Sequence, residues 1–391
     1  MAPEWILFGA TLAGVALFSR RALPVSLCGL AAVSLYKAAG PGFSEGPGFR
    51  GLAIHVIDRA GDLVDLFGLL TAFAVLARHF QASRAPAAIM RRLPRGWAGG
   101  VALLALVFVL STFIDNIAAA VIGATLAQTA FRGKVHLGYL AAIVAAANAG
   151  GAGSVLGDTT TMMMWIAGVP FTTVFDAFIA SATAFVVFSI PASIQQHRLS
   201  PMQPPERAEP VDWPSVAGIA VPLAAAVAVN VLATSYLPDW DQFPFEAVTL
   251  WAGLIALSPL RAPDRSALVP AAKGSLFLLA LVLLASMMPV KQLAPPTWLS
   301  TFGLGWASAL VDNIPLTTLA LKQGGYDWGG LAFAVGFGGS MIWFGSSAGV
   351  AVGNLFPEAR SVRRWVTAGW HVIAAYPAGY FAWLWLSGWR P

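Results

Sequence analysis

Charged side chains are scarce in this sequence. Its 391 residues include 23 Lys and Arg and 18 Asp and Glu, so that 10% are charged and 58% are hydrophobic. A soluble domain carries about 25% charged residues, and this chain therefore lacks the charge that a water-facing surface requires. The mean hydropathy of +0.72 agrees. The sequence indicates an integral membrane protein, in which each ionised side chain inside an apolar run needs its own explanation.

Cysteine and nucleotide-binding motifs are also lacking. The single Cys28 excludes an internal disulfide, argues against a metal cluster and is expected to be a buried thiol. The sequence has no phosphate-binding GxxxxGKS or GxxxxGKT loop, which argues against pumping driven by ATP in this chain. We expect neither a cofactor nor enzymatic activity.

The basic residues do not have the distribution expected for nucleic-acid binding, although the net charge is +5. They cluster in short segments between apolar runs, where they set topology and contact anionic lipid. The first run begins with Glu4, where a secretory signal peptide carries basic residues, so we expect a first membrane helix there. The predicted partners are ions and anionic lipid, with no nucleic acid, and a homodimer is compatible with the sequence.

Apolar runs follow one another in the same order in two halves of the chain. About 20 apolar residues form one membrane span. Each half has three helices, an interrupted segment, a glycine-broken helix and a closing helix. The first half (1–195) has runs 5–19, 22–38, 62–79, 98–130, 137–168 and 171–195, and the second half (214–391) has runs 214–236, 244–259, 272–290, 298–322, 328–356 and 365–388. A polar cytoplasmic linker, 196–213, is predicted between the halves.

The interrupted and broken segments share motifs. STFIDNIAAA at 111–120 matches ASALVDNIPLT at 307–317, so that Asp312-Asn313 repeats Asp115-Asn116. GGAGSVLG at 150–157 matches GGSMIWFG at 338–345. The two motifs recur in the same order and at nearly the same distance along the chain, which predicts an internal duplication.

The distribution of charge predicts that the two halves are inverted. A basic segment without acids, 78–95, should be cytoplasmic. Arg132 and Lys134 fall on the same side only if 98–130 is a re-entrant hairpin with Asp115-Asn116 at its tip. The same count places Arg360, Arg363 and Arg364 inside, and Asp239, Asp241, Glu246 and both ends of hairpin 298–322 outside. We predict an all-helical protein of two inverted repeats with about ten transmembrane helices, two re-entrant hairpins and two glycine-broken helices, and a site at the repeat interface.

Three carboxylates lie in the predicted hairpin tips and the first broken helix: Asp115, Asp158 and Asp312. An Asp at the bilayer centre costs about 2.5–3.5 kcal/mol, and none of the three has a Lys or Arg within one turn. Such a carboxylate takes up a proton or binds a cation, and a group that alternates between these states suits cation/proton exchange. Alternatively, the Asp-Asn pairs only cap the second half-helix of each hairpin.

Oxygen-bearing side chains surround the same breaks. Carbonyls freed at helix breaks coordinate ions such as Na⁺, and hard cations favour all-oxygen sites. The candidate ligands beside the carboxylates are Ser111, Asn116, Asn148, Thr160 and Thr161 in the first half, and Ser308, Asn313, Ser340, Ser346 and Ser347 in the second. We expect Asp115 and Asp158 to share the transported Na⁺ and the proton, with Asp312-Asn313 completing the site.

Four of these runs resemble the signature segments of NhaD-type sodium/proton antiporters: STFIDN, NAGGAGSVLGDTTTMMMW (148–165), SALVDNIPLT and GGSMIWFGSSAGVA (338–351). This family is part of a superfamily that includes arsenite pumps and Na⁺-coupled citrate and dicarboxylate carriers. The resemblance covers about residues 60–355 and implies export of Na⁺, or of Li⁺, driven by inward proton movement. We expect a bacterial inner membrane. The functional positions that it implies are Ser111, Asp115, Asn116, Asn148, Asp158, Thr160, Thr161, Ser308, Asp312 and Asn313.

The third predicted helix departs from that family. The family usually carries His and Glu in and just before this helix, whereas this chain has His55, Asp58, Asp62 and Asp65. The three Asp residues fall on one helical face. They are an alternative proton path, but we favour a solvated face at the outer membrane surface.

Two other functions remain open. Na⁺-coupled uptake of citrate or a dicarboxylate would bind the anion at half-helix N-termini, although negative charge at both hairpin tips disfavours a dianion. An intramembrane serine protease would use Ser346 or Ser347 with His371 as base. That function would leave the repeated Asp-Asn motifs unexplained.

Overall fold

A computed structural model of the chain describes residues 3–18, 21–85, 88, 93–203, 210–236, 243–259, 262, 265–289 and 293–391. Within these ranges the protein is helical and has no strand, which confirms the predicted helical class. Several sequence predictions lie outside the described residues: those on Arg91 and Arg92, on 204–209 of the linker, on Asp239 and Asp241, and on the side chains of Asp62 and Glu246.

The helices follow closely the apolar runs of the sequence. In chain order they are α1 (Pro3–Leu17), α2 (Ala22–Ala39), α3 (Gly48–Ile57), α4 (Ala60–Ala82), α5 (Trp97–Ser111), α6 (Asn116–Ala130), α7 (Leu137–Gly151), α8 (Thr159–Ile166), α9 (Phe171–Val174), α10 (Ala177–Leu199), α11 (Trp213–Tyr236), α12 (Phe245–Leu257), α13 (Leu268–Ser286), α14 (Trp298–Ser308), α15 (Asn313–Gln323), α16 (Trp328–Gly338), α17 (Ser347–Leu355), α18 (Val362–Ala368) and α19 (Trp370–Ser387).

Three segments in the described part are long and apolar enough to cross a membrane: α2, Phe171–Leu199 and α13. Shorter apolar helices, among them α5, α6, α7 and α16, accompany them. This composition supports a helical, multi-pass membrane protein. The exact number of spans and their inverted arrangement stay predictions.

Some helix boundaries differ from the sequence expectation for local reasons. Helix α3 has only 10 residues, too few for a span of about 20 residues, and was therefore not expected. The closing run 365–388 is divided at Gly369, which ends α18 and begins α19.

Cys28 is exposed on α2 rather than buried as expected, because an apolar helix in a membrane protein presents apolar positions to its surroundings as well as to the core.

The chain forms two compact units. The first unit contains Met1–Ala85 and Pro210–Pro289, and the second contains Pro86–Glu209 and Val290–Pro391. Each unit therefore combines a segment from each half of the sequence. All three candidate carboxylates belong to the second unit. The predicted division of the chain at 195 and 214 stays a prediction about sequence repeats.

In the first unit, Asp65 joins α4 to the start of α12. Its Oδ1 accepts a hydrogen bond of 3.0 Å from the backbone N–H of Ala247, one of the N–H groups left without a partner in the first turn of a helix. Nearby, Nε1 of Trp251 donates to the carbonyl of Gly68 at 3.0 Å. Asp65 is only 4% exposed, so the interpretation as a solvated face is wrong for this residue, whereas Asp58 is exposed.

We expect replacement of Asp65 with Ala to destabilise the protein. The change removes a charged acceptor from a buried N–H, which costs about 1–3 kcal/mol. The matched control is Asp58→Ala, because Asp58 is an exposed Asp shortly before α4. Thermal unfolding of the detergent-solubilised protein measures the difference. Equal unfolding midpoints for the two variants would contradict the capping role of Asp65.

A buried imidazole lies elsewhere in the first unit. His55 is 2% exposed; its Nδ1 lies 3.0 Å from Oε1 of Glu45, and its Nε2 lies 2.9 Å from Oγ of Ser286. Burial disfavours ionisation of Glu45, but hydrogen bonds from His55 and Ser44 outweigh it and lower the pKa of this carboxyl below its usual value. The Ser286 hydroxyl donates to the carbonyl of Leu283 and therefore accepts from Nε2 of His55. The same side chains thus fix the 43–46 loop to the end of α13.

Candidate cation site

The first interruption separates α5 from α6. Asp115 is the N-cap of α6, and its Oδ2 accepts a hydrogen bond of 3.0 Å from the N–H of Ile117. Asp115 is 8% exposed, and the adjacent Asn116 is 6% exposed. Capping is therefore one role of this carboxylate, as the alternative explanation from sequence proposed.

The second interruption separates α14 from α15 and differs in detail. Asp312 occupies the N-cap position of α15, but its side chain makes no capping hydrogen bond. Its Oδ2 instead accepts a hydrogen bond of 3.1 Å from the hydroxyl of Ser347, at the start of α17. The repeated Asp-Asn motif thus supports two different local arrangements, and capping does not explain Asp312.

Asp158 lies in the first glycine-broken helix, between α7 and α8. It is 1% exposed, and its Oδ1 accepts a 3.0 Å bond from the N–H of Thr160 as the N-cap of α8. The same Oδ1 accepts a 3.2 Å bond from Nδ2 of Asn313, which also donates to Oγ1 of Thr160 at 2.7 Å. Residues that are far apart in the sequence therefore meet at one carboxylate.

Asn148 connects α7 to the second broken helix. Its Nδ2 donates to Oγ of Ser340 at 2.9 Å and to Oγ of Ser346 at 3.1 Å. Ser346 is also the N-cap of α17, because its Oγ accepts from the N–H of Gly349 at 3.2 Å. Asn148 and Ser340 are fully buried. The amide thus spans the break between α16 and α17.

Three acceptor oxygens in these clusters have no hydrogen-bond donor among the described residues: Oδ1 of Asn148, Oδ2 of Asp158 and Oδ1 of Asp312. Buried polar atoms nearly always have a partner, and a buried carboxylate without one is particularly costly. All three atoms are oxygen acceptors. A cation, or a proton on the carboxylates, would satisfy them.

Two predicted ligands have hydroxyls that bond to the backbone of another helix. Ser111 Oγ donates to the carbonyl of Ala147 at 2.6 Å, and Ser308 Oγ donates to that of Val335 at 2.6 Å. Ser111 and Ser308 occupy the same position in the two Asp-Asn motifs, and Ala147 and Val335 precede the two glycine motifs by the same number of residues. Each serine joins the helix before an Asp-Asn motif to the helix that leads into a glycine motif, and the contact recurs in the register of the matched motifs.

Two glycines mark a second helix contact that occurs once in each half of the sequence. A Cβ on Gly150 of α7 would overlap the carbonyl oxygen of Phe108 in α5, and a Cβ on Gly338 of α16 would overlap that of Gly305 in α14. Gly150 and Gly338 each begin a glycine motif, and Phe108 and Gly305 precede the two matched serines by the same number of residues. Glycine thus permits the same close approach of two backbones in each half.

Thr161 is a predicted ligand whose hydroxyl bonds within the helix break. It donates to the carbonyls of Ser154 at 2.5 Å and Asp158 at 2.9 Å, so it stabilises the break itself.

Neither ring nitrogen of the buried His371 has a hydrogen-bond partner in the described part of the chain. The serine–base hydrogen bond that a protease would require with Ser346 is therefore not formed.

The sequence predictions missed Gly336, which faces Asp158. A Cβ at Gly336 would lie 3.0 Å from Oδ2 of Asp158. The register of the repeats is the signal that points to it, because Gly336 stands before the second glycine motif where Asn148 stands before the first.

The chain is similar to two curated proteins of Arabidopsis thaliana. It is 30% identical to sodium/proton antiporter 1 over 311 residues, which cover 69% of this chain and 54% of that protein. It is 27% identical to sodium/proton antiporter 2 over 286 residues, which cover 62% of this chain and 66% of that protein. No family model matches the chain. The chain thus spans between half and two thirds of the length of these relatives, whose names support a sodium/proton antiporter family at a general level.

Proposed function

We propose that this protein exchanges Na⁺ for H⁺ across a membrane and that it is of the NhaD type, with Li⁺ as an alternative cargo. The observation that carries the proposal is the group of buried oxygens without donors, within the described residues, on Asn148, Asp158 and Asp312. Asp158 and Asp312 lie at helix breaks, and Asn148 lies in the last turn of α7. Carbonyls freed at such breaks can also coordinate a cation. The names of the two relatives agree with this function.

Asp158 is the central group of the proposed site. Its Oδ1 is held by Asn313 and by the N–H of Thr160, so that Oδ2 remains to bind either a cation or a proton. Exchange follows if the two ligands compete for the same oxygen, because binding of one then requires release of the other. Asp115 and Asp312 supply further negative charge at the two hairpin tips.

The wider architecture that we propose consists of two inverted repeats with re-entrant hairpins. The recurring serine and glycine contacts between hairpin and broken helices support internal duplication. Transport in such folds occurs at the interface of the repeats. We place the protein in a bacterial inner membrane, in contact with anionic lipid and with a homodimer as the proposed assembly.

Everted membrane vesicles from cells without their own Na⁺/H⁺ antiporters test the proposed function. Respiration acidifies the lumen and quenches a pH-sensitive dye, and exchange restores the fluorescence when a cation is added. We expect recovery with Na⁺ and Li⁺ but not with K⁺ or with Na⁺-free citrate, and none in vesicles that lack the protein.

Two results of these measurements would overturn the proposed antiport. If labelled citrate or succinate accumulates only when Na⁺ is present, and Na⁺ alone gives no recovery, the protein is a carboxylate carrier. If no cation gives recovery in vesicles that contain folded protein, Na⁺/H⁺ exchange is wrong.

A further inference from the structure

Gly336 lies within α16, opposite the carboxylate of Asp158. The position is buried, and a Cβ there would lie 3.0 Å from Oδ2 of Asp158 and 3.6 Å from Cβ of Ala152. Oδ2 is the oxygen of this carboxylate that has no donor in the described residues. Because glycine has no Cβ, no side-chain atom of residue 336 blocks the approach of an ion to Oδ2 from this side.

The backbone does not require glycine at this position. Gly336 is helical and not among the glycines with positive φ, and every L-residue adopts a helical conformation. Glycine in a helix interior costs about 1 kcal/mol relative to alanine. A Cβ would meet only side-chain atoms there, whereas a Cβ on Gly338 would overlap a backbone carbonyl. Backbone conformation therefore does not account for glycine at 336, and the group that limits the space there is the side chain of Asp158.

The register of the repeats relates this position to Asn148. In the alignment that matches the two glycine motifs, Gly336 corresponds to Asn148 and Ser346 corresponds to Asp158. Across the halves, Asn148 donates to Ser346 at 3.1 Å. In the reciprocal contact, Gly336 faces Asp158 and has no side chain to donate. Glycine at 336 thus places no side-chain donor beside Oδ2 of Asp158.

We propose that Gly336 determines cation specificity by giving a dehydrated ion of the size of Na⁺ direct access to Oδ2 of Asp158. This inference rests on the proposed function and assigns a role to a residue that lies outside the two glycine motifs. The size of the residue at position 336 determines how closely an ion can approach the Asp158 carboxylate. A methyl group there leaves less room beside Oδ2, and a smaller ion is affected less than a larger one.

The Gly336→Ala variant tests this inference in the vesicle assay. We expect the Na⁺ concentration for half-maximal exchange to rise about tenfold, the loss that corresponds to one modest ligand contact, and that for Li⁺ to rise less. Gly336→Ser carries a hydroxyl that can itself coordinate the ion and should recover part of the Na⁺ affinity. The matched control is Gly303→Ala, since a Cβ on Gly303 of α14 meets nothing within 4 Å.

A second measurement separates this inference from the proposed function. Na⁺ that binds the folded protein raises its unfolding temperature in a concentration-dependent way, whether or not the protein exchanges protons. If the wild-type protein is stabilised by Na⁺ but does not exchange, the proposed function is wrong, and the same titration of Gly336→Ala still decides the inference. Equal Na⁺ concentrations for half-maximal stabilisation in wild type and Gly336→Ala would overturn it. Loss of folded protein in both Gly336 variants would assign Gly336 to packing and would overturn it as well.

Discussion

Replacement of Asp158 with Asn should abolish Na⁺-driven proton movement while the protein remains folded. Asn has the same shape as Asp, and its Oδ1 can still accept from the N–H of Thr160 and from Asn313. Only the second oxygen changes, from a charged acceptor to an N–H donor. The variant therefore keeps the hydrogen bonds of the break but loses the proposed binding group for the cation and the proton.

The expected loss of rate is large because a charged ligand is removed from a buried site. Truncation of one partner in a buried charge interaction costs about 2–5 kcal/mol, and each 1.4 kcal/mol corresponds to a factor of ten. We expect exchange to fall by about 30-fold to several thousandfold on this basis. The loss should persist at saturating Na⁺, because the neutral amide has no proton to exchange.

The control for this variant is Asp176→Asn in the same unit. Asp176 precedes α10 and makes no side-chain capping bond, so its replacement should leave exchange near the wild-type rate. Dequenching of the pH dye on addition of Na⁺ measures both variants at equal protein amounts. Exchange by Asp158→Asn at the wild-type rate would remove Asp158 from the site.

The candidate carboxylates could be found from sequence because charge is scarce in this chain. An Asp inside an apolar run is costly, so Asp115, Asp158 and Asp312 were conspicuous without any structure. The sequence also named Asn313 as a candidate ligand, but it did not predict which carboxylate Asn313 contacts. Asn313 donates to Asp158 although it is distant in the sequence, and such a pairing depends on how the helices pack rather than on any local pattern.

The identical Asp-Asn motifs illustrate the limit of local reasoning. Asp115 caps its helix through the N–H of Ile117, as the N-cap preference of Asp predicts. Asp312 is followed by the same Asn-Ile pair, but by Pro315 where the first motif has Ala118. It accepts a hydrogen bond from Ser347 of another helix. A tertiary donor thus replaces the local one, and the motif alone does not decide between them.

The prediction of a solvated face in the first unit is wrong for Asp65, because tertiary contacts again override the local pattern. Asp65 belongs to a predicted solvated face, yet it lies buried against the first turn of α12. Helical periodicity predicts that Asp58 and Asp65 share one face of a helix, but this is wrong, because Asp58 lies in the turn after α3 and only Asp65 lies in α4. Periodicity also does not say which neighbour covers a given face. The N–H groups at the start of α12 provided the partner, and they belong to the other half of the sequence.

Replacement of Gly150 or Gly338 with Ala should destabilise the protein strongly. A Cβ on either residue would overlap a backbone carbonyl oxygen, that of Phe108 or that of Gly305. A backbone atom cannot rotate away as a side chain can, so the two helices must separate. Overpacking of this kind costs about 1–3 kcal/mol, against a gain of about 1 kcal/mol from replacing a helical glycine, so we expect a net loss of up to about 2 kcal/mol. Thermal or denaturant unfolding in detergent measures the loss.

The contrast with Gly303→Ala makes this prediction specific to close helix approach. Gly303 is also in a helix, but a Cβ there meets nothing within 4 Å, so the same substitution should leave stability unchanged or raise it by up to about 1 kcal/mol. A similar loss in all three variants would contradict the packing explanation, because it would then reflect glycine content alone. If Gly150→Ala and Gly338→Ala lose stability to a similar extent while Gly303→Ala does not, the two halves depend on the same helix contact. Equal dependence on that contact is what an internal duplication requires, since each copy inherits the geometry as well as the motif.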